Sequence, residues 1–131
     1  NGFRLTEDFL QVLTGEIDMV FLCNPNNPTG VLTERDLLIQ ILNRCKEKQI
    51  FLVVDECFLD FVKEPEEYSL KHSLSGFNNL FILKAFTKRY AMAGVRLGYG
   101  FCSDGEVLDR MEQSPSPGMC LPWHSRQEWQ H

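Results

Sequence analysis

"DMVFLCNPNNPTGVLTERDLLIQILNRCKEKQIFLVVD", residues 18–55, decides the fold. Its ends, Asp18 to Cys23 and Ile50 to Asp55, are short and continuously apolar, the pattern of strands buried on both faces. Between them Leu37, Leu38, Ile41, Leu42 and Cys45 recur at helical spacing on one face. Thr33 stands where an N-cap is expected, with Asp36 positioned to reach back to it. Strand, helix, strand is the unit that builds a parallel sheet through a right-handed crossover.

Outward from this unit, "LFILKAF" (Leu80 to Phe86) reads as a third strand and "RLGYGFC" (Arg96 to Cys102) as a fourth. Weaker helical patterns cover Glu66 to Leu74 and Thr6 to Leu13. The expected architecture is α/β, a mostly parallel sheet with helices on both faces. At 131 residues and 44% hydrophobic content the chain is long enough for one domain, or a piece of one.

A formal charge of -5 gives no basic footprint for nucleic acid or an anionic membrane. No run of roughly 18 apolar residues exists to span a bilayer, and a soluble protein is expected. The five cysteines, Cys23, Cys45, Cys57, Cys102 and Cys120, are odd in number and form no CxxC pair. Buried thiols in a reducing compartment, the cytoplasm, fit this better than a disulfide framework. The opening residues carry no apolar signal region, and without an initiator Met the chain is expected to begin inside a longer one.

In open α/β sheets ligands sit beyond the carboxyl ends of the strands. Those positions read "NPNNPTG" (Asn24 to Gly30), "DECFLDF" (Asp55 to Phe61) and "TKRYAMAGVR" (Thr87 to Arg96). Lys88 follows a buried strand, where an amine loses hydration and can act on an aldehyde, although alone it would most often be an exposed lysine. Arg96 offers a planar fork for a phosphate; alone it would most often be a surface residue or an ion-pair partner. Asp55 closes an apolar run, where a carboxylate is costly unless a cation, a hydrogen-bond donor or a capping role meets it. The Asn, Pro and Gly of "NPNNPTG" are ordinary turn residues in an unusual order. Together a lysine for an imine, a carboxylate for a ring nitrogen, an arginine for a phosphate and an asparagine amide for a ring hydroxyl describe a pyridoxal 5'-phosphate (PLP) site.

On "NPNNPTG", "VVDECFLDF" (Val53 to Phe61) and "FTKRYAMAGVRLGYG" (Phe86 to Gly100), residues 1 to about 113 resemble the middle of a fold-type I PLP-dependent aminotransferase. The resemblance implies that Lys88 forms the Schiff base with PLP and moves the proton at the substrate Cα. It implies that Asp55 pairs with the pyridinium nitrogen, that Asn27 bonds the ring's phenolic oxygen, and that Arg96, with Thr87 beside it, binds the phosphate. The reaction implied is transamination between an amino-acid substrate and a keto-acid acceptor, in a homodimeric parent. Two positions depart from the common pattern. Phe58 stands where many relatives have a Tyr that donates to the ring oxygen, and Ala85 replaces a Ser or Thr that often touches the phosphate. Phe58 followed by "LDF" is similar to the threonine-phosphate decarboxylase branch, close to the histidinol-phosphate aminotransferases, so decarboxylation is the alternative reaction.

From Ser114 the text changes to "SPSPGMCLPWHSRQEWQH", with no helical or strand period. One permitted choice of codons, with a single G inserted near Ser114 and Pro115, restores a reading similar to the family's next segment. A one-base deletion is therefore expected to have replaced the family sequence, leaving Trp123, His124 and Trp129 without a role. On that reading residues 1–113 are part of the PLP-binding large domain and 114–131 an irregular tail. The resemblance then implies that the phosphate cup, the ring-stacking aromatic and the small domain are missing, so weak PLP affinity and little turnover are expected. The competing readings are a nucleotide-binding α/β module, which lacks its glycine-rich loop after the first strand, and a non-catalytic interaction fragment. His72, His124 and His131 lack metal-ligand spacing, and no GxSxG motif occurs.

Overall fold

A computed structural model describes residues 2–86 and 98–114. In chain order these form α1 (Phe9–Val12), β1 (Met19–Cys23), α2 (Arg35–Glu47), β2 (Phe51–Asp55), β3 (Leu80–Ala85), β4 (Gly98–Cys102) and α3 (Gly105–Gln113). Three short 3-10 turns, Leu59–Phe61, Pro65–Glu67 and Lys71–Gly76, link β2 to β3. The strands lie in the order β1-β2-β3-β4, parallel from β1 to β3, with β4 antiparallel to β3. The α/β expectation holds: a mostly parallel, mixed sheet with helices packed against it.

Register explains which side is covered. Val20, Leu52 and Leu80 pair across one row, and Leu22, Val54, Ile82 and Phe101 across another. Because side chains alternate along a strand, these two rows share a face, and they join Leu37, Leu38, Ile41, Leu42 and Cys45 of α2 in one core. The helical face read from the sequence is the buried face of α2. The opposite rows carry Met19, Phe21 and Leu83, which are exposed among the described residues, Phe21 to 72%. The continuous apolar runs are thus composed for a sheet covered on both sides, whereas the described residues cover one. On that second face Gly100 admits the ring of Phe81, which a Cβ would strike.

Local expectations need three corrections. Thr33 does not cap α2: the N-cap residue is Glu34, with no side-chain cap, and Thr33 is buried with its N–H bonded to Asn24 Oδ1 at 2.9 Å. Asn24 claims that residue, so the helix starts later, with Asp36 in its first turn where negative charge is favourable. Glu66 to Leu74 is not an α-helix, because Leu70 gives its N–H to the Glu56 carboxylate (3.0 Å) rather than to a helical carbonyl, and Glu64 takes a left-handed conformation (φ 58°). Thr6 to Leu13 shortens to four helical residues, preceded by bonds between residues three apart, such as Phe9 N–H to Thr6 O.

Cys45 shows what burial does to a titrating group. Its thiol is fully buried, and burial pushes its pKa from 9.0 to about 11. Between those values the unfolded chain releases a proton that the folded chain keeps, so stability falls as pH rises. We expect the fold to lose about 2 kcal/mol from this group between pH 9 and 11. Cys45→Ala should flatten the slope of urea-unfolding stability against pH over that interval; an unchanged slope would assign the loss to other groups.

Candidate cofactor site

The carboxyl edge of the parallel strands is built by hydrogen bonds that prolong the sheet beyond its last residues. Asn24 N–H donates to Asp55 O and Glu56 N–H to Leu83 O, both at 2.9 Å. The turn after β1 and the end of β2 are therefore fixed to each other, and the end of β2 to that of β3.

Asn24, fully buried, anchors the "NPNNPTG" turn. Its amide donates to Tyr68 O (3.2 Å) while its carbonyl accepts from Thr33 N–H. Asn26 closes the turn on itself, donating from Nδ2 to Thr29 Oγ1 (2.8 Å) and accepting from Gly30 N–H (2.7 Å). Both Asn-Pro peptides, Asn24-Pro25 and Asn27-Pro28, are cis. The turn presents Asn27 as an exposed residue on the wall of a cavity of about 460 Å³ shared with Phe58, Phe61 and Val62. Asn24→Ala removes two bonds and strands two backbone groups, Thr33 N–H and Tyr68 O. A loss of about 2–3 kcal/mol is expected in urea unfolding; a loss below about 0.5 kcal/mol would show that water satisfies both groups.

Asp55 ends β2, half-buried, and its Oδ1 accepts from the backbone N–H of Cys57 at 2.9 Å. Burial first, then a side-chain hydrogen bond to Asp55, push the Cys57 thiol up to about 12. Cys23, which pairs with Asp55 across the sheet, is shifted upward by burial and then by the Asp55 charge. Both neighbours are thus neutral thiols at physiological pH. Among the described residues no cation pairs with Asp55. Its carboxylate is oriented by the Cys57 N–H.

Behind this edge lies a charged cluster that the apolar reading of the strands passed over. Glu56, fully buried, accepts from Ser69 Oγ (2.9 Å) and Leu70 N–H (3.0 Å), and its Oε2 lies 3.3 Å from Lys84 Nζ. Lys84 Nζ also lies 3.3 Å from Asp60 Oδ1. The signal was present in the sequence as a lysine inside "LFILKAF" and a glutamate directly after "VVD".

Of the residues expected at the site, the fold brings Asp55 and Asn27 to the same sheet edge, though Asp55 is not on the wall of the cavity that Asn27 lines. Lys88, Thr87 and Arg96 lie outside the described residues, as does the text from Pro115 onward. Among the described residues no three His, Cys, Asp or Glu side chains gather as a metal site, and no helix is long and apolar enough to cross a membrane.

The sequence profile for "Aminotransferase class I and II" matches residues 3–126, beyond the change of character at Ser114. A threonine-phosphate decarboxylase of Salmonella typhimurium is 43% identical over 117 residues, which are 89% of this chain and 32% of that protein. A histidinol-phosphate aminotransferase of Bacillus velezensis is 35% identical over the same shares of the two chains. The crystal structure of the histidinol-phosphate aminotransferase from Clostridium acetobutylicum superposes with a TM-score of 0.80 at 29% identity, covering 89% of this chain and 35% of that one. The chain thus spans about a third of the length of these relatives. With its profile match, its parallel-sheet frame and its "NPNNPTG" turn beside Asp55, it belongs to the class I and II aminotransferases.

Proposed function

We propose that this chain is part of the PLP-binding large domain of an aminotransferase, and that residues 1–113 carry that role while 114–131 lie outside it. The observation that carries the reading is Asp55: an oriented, half-buried carboxylate without a cationic partner among the described residues, at the edge where the Asn27 turn is fixed to β2. Such a group fits the protonated ring nitrogen of PLP. When bound, PLP provides an aldehyde for an amine and an electron-withdrawing ring for the substrate Cα. Lys88 provides that amine and moves the proton at Cα. Asp55 keeps the ring nitrogen protonated, and Asn27 donates to the ring oxygen. Arg96 and Thr87 hold the phosphate. Phe58 cannot donate to the ring oxygen, so in this reading the Asn27 amide is the donor from this turn. Substrates are an amino acid and a keto acid, in a cytoplasmic homodimer.

The 43% identity to a threonine-phosphate decarboxylase favours a second reading, loss of CO2 from the same Cα. The two reactions differ in which Cα bond is aligned with the ring's π-system. Incubating the full-length parent enzyme with PLP and threonine phosphate separates them. Decarboxylation releases CO2 and leaves a phosphorylated amino alcohol, whereas transamination with a keto acid leaves the carboxylate in place and moves the amino group. Lys88→Ala should abolish either reaction. Full turnover in Lys88→Ala would contradict the assignment of the amine.

A further inference from the structure

Helix α2 ends where the chain turns into β2, at the end of the strand opposite Asp55, and the polar groups between it and α1 play no part in the cofactor reading. We propose that they form a second binding site, for a free α-amino acid, in which Arg44 takes the carboxylate and Glu47 the ammonium group.

Gln40, Asn43, Arg44 and Glu47 recur at helical spacing along α2, so they form one stripe beside the buried face of that helix. Leu10 and Gln11 of α1 stand across from them, and the six residues line a cavity of about 420 Å³, within the size range of small-ligand pockets. A stripe turned toward a neighbouring helix is ordinarily apolar; this one is polar. Arg44 Nη1 pairs with Glu47 Oε2 at 3.5 Å. The other edge of the guanidinium, Nε with Nη2, is the planar fork that holds a carboxylate by two parallel hydrogen bonds. Arg44 Nε is buried and has no hydrogen-bond partner among the described residues. Buried donors are nearly always met, so an acceptor belongs at this edge.

The neighbouring groups define the ligand's class. Gln11, Gln40 and Asn43 are exposed and unpaired among the described residues, and each amide can both donate and accept. Glu47 is the last residue of α2, where the helix carbonyls favour positive charge. An anionic group on the Arg44 fork and a cationic group beside Glu47 therefore each meet favourable polarity, and they need to be no farther apart than these two paired side chains. A carboxylate and an ammonium on one carbon satisfy that spacing, and Leu10 supplies an apolar wall for the side chain. A carboxylate without the ammonium faces the repulsion of Glu47 with nothing to offset it.

The test is a titration of the full chain with L-alanine, followed by the nitrogen–proton NMR resonance of Arg44 Nε, with those of the exposed Arg4 and Arg110 as controls in the same sample. A saturating shift confined to Arg44 is expected, half-complete on the order of 1 mM. Propionate, which lacks the ammonium, should bind about tenfold more weakly. Glu47→Gln, at a side chain 66% exposed, should fold and bring the two ligands to equal affinity. Arg44→Lys keeps the charge without the fork and should weaken alanine binding about tenfold or more, read in the variants from the backbone N–H resonances of Gln40 to Glu47. An Arg44 resonance that does not move, or moves only as much as those of Arg4 and Arg110, overturns the proposal and leaves water as the partner of Nε. Parental affinity in Arg44→Lys overturns it as well, and equal binding of propionate and alanine by the parent overturns the amino-acid assignment. If Arg44→Lys does not fold, the titration of the parent decides alone.

Discussion

Glu56→Ala will destabilise the fold by about 3–5 kcal/mol, the cost of breaking a buried ion pair from one side. The substitution removes the acceptor of the buried Leu70 N–H and of Ser69 Oγ, and takes one of two carboxylates from Lys84. Two unfavourable consequences coincide: an orphaned backbone donor and a buried ammonium left, among the described residues, with Asp60 alone. Glu56→Gln keeps an oxygen for Leu70 and loses only the charge, so about half the effect is expected. Urea unfolding of the two variants measures the difference. Equal, small losses would mean that water enters the cluster.

The second large effect is on cofactor binding. Asp55→Ala should weaken PLP binding about 10- to 100-fold, the worth of a hydrogen bond to a charged group in a half-buried site. Asp55→Asn preserves an acceptor for the Cys57 N–H but not the charge, and should lose nearly as much affinity while unfolding at nearly the parent's urea concentration. That pairing separates the two roles of the residue, since orientation of the loop needs only an oxygen whereas the ring nitrogen needs a negative charge. Retention of parental affinity in Asp55→Asn would show that this carboxylate does not meet the ring.

How much of this was legible in the sequence depends on how local the cause is. The apolar runs and the spacing of Leu37, Leu38, Ile41, Leu42 and Cys45 announced β1, α2 and β2 because burial periodicity is written residue by residue. The start of α2 was misplaced because the claim on Thr33 comes from Asn24, nine residues earlier. The helix expected over Glu66 to Leu74 fails for a similar reason: the Glu56 carboxylate takes the backbone N–H of Leu70 from fourteen residues away. Helix α3 was missed although its signal is local, Asp104 accepting from the N–H groups of Glu106 and Val107. At the site, the strand-end rule located Asp55 and the Asn27 turn. It overlooked Glu56 and Lys84, because a charge inside an apolar run reads as an interruption until the register shows that two such interruptions meet. The assignments of Lys88, Thr87 and Arg96 rest on motif alone.

The proposed role of Lys88 as the amine that meets PLP can be checked by treating the unmodified chain with PLP, reducing with borohydride, and mapping the pyridoxyl group among its lysines. Label is expected to concentrate on Lys88, several-fold above the exposed Lys63 and Lys71, and to be competed away by free phosphate. Label spread evenly over the exposed lysines, with none in excess at Lys88, would contradict it.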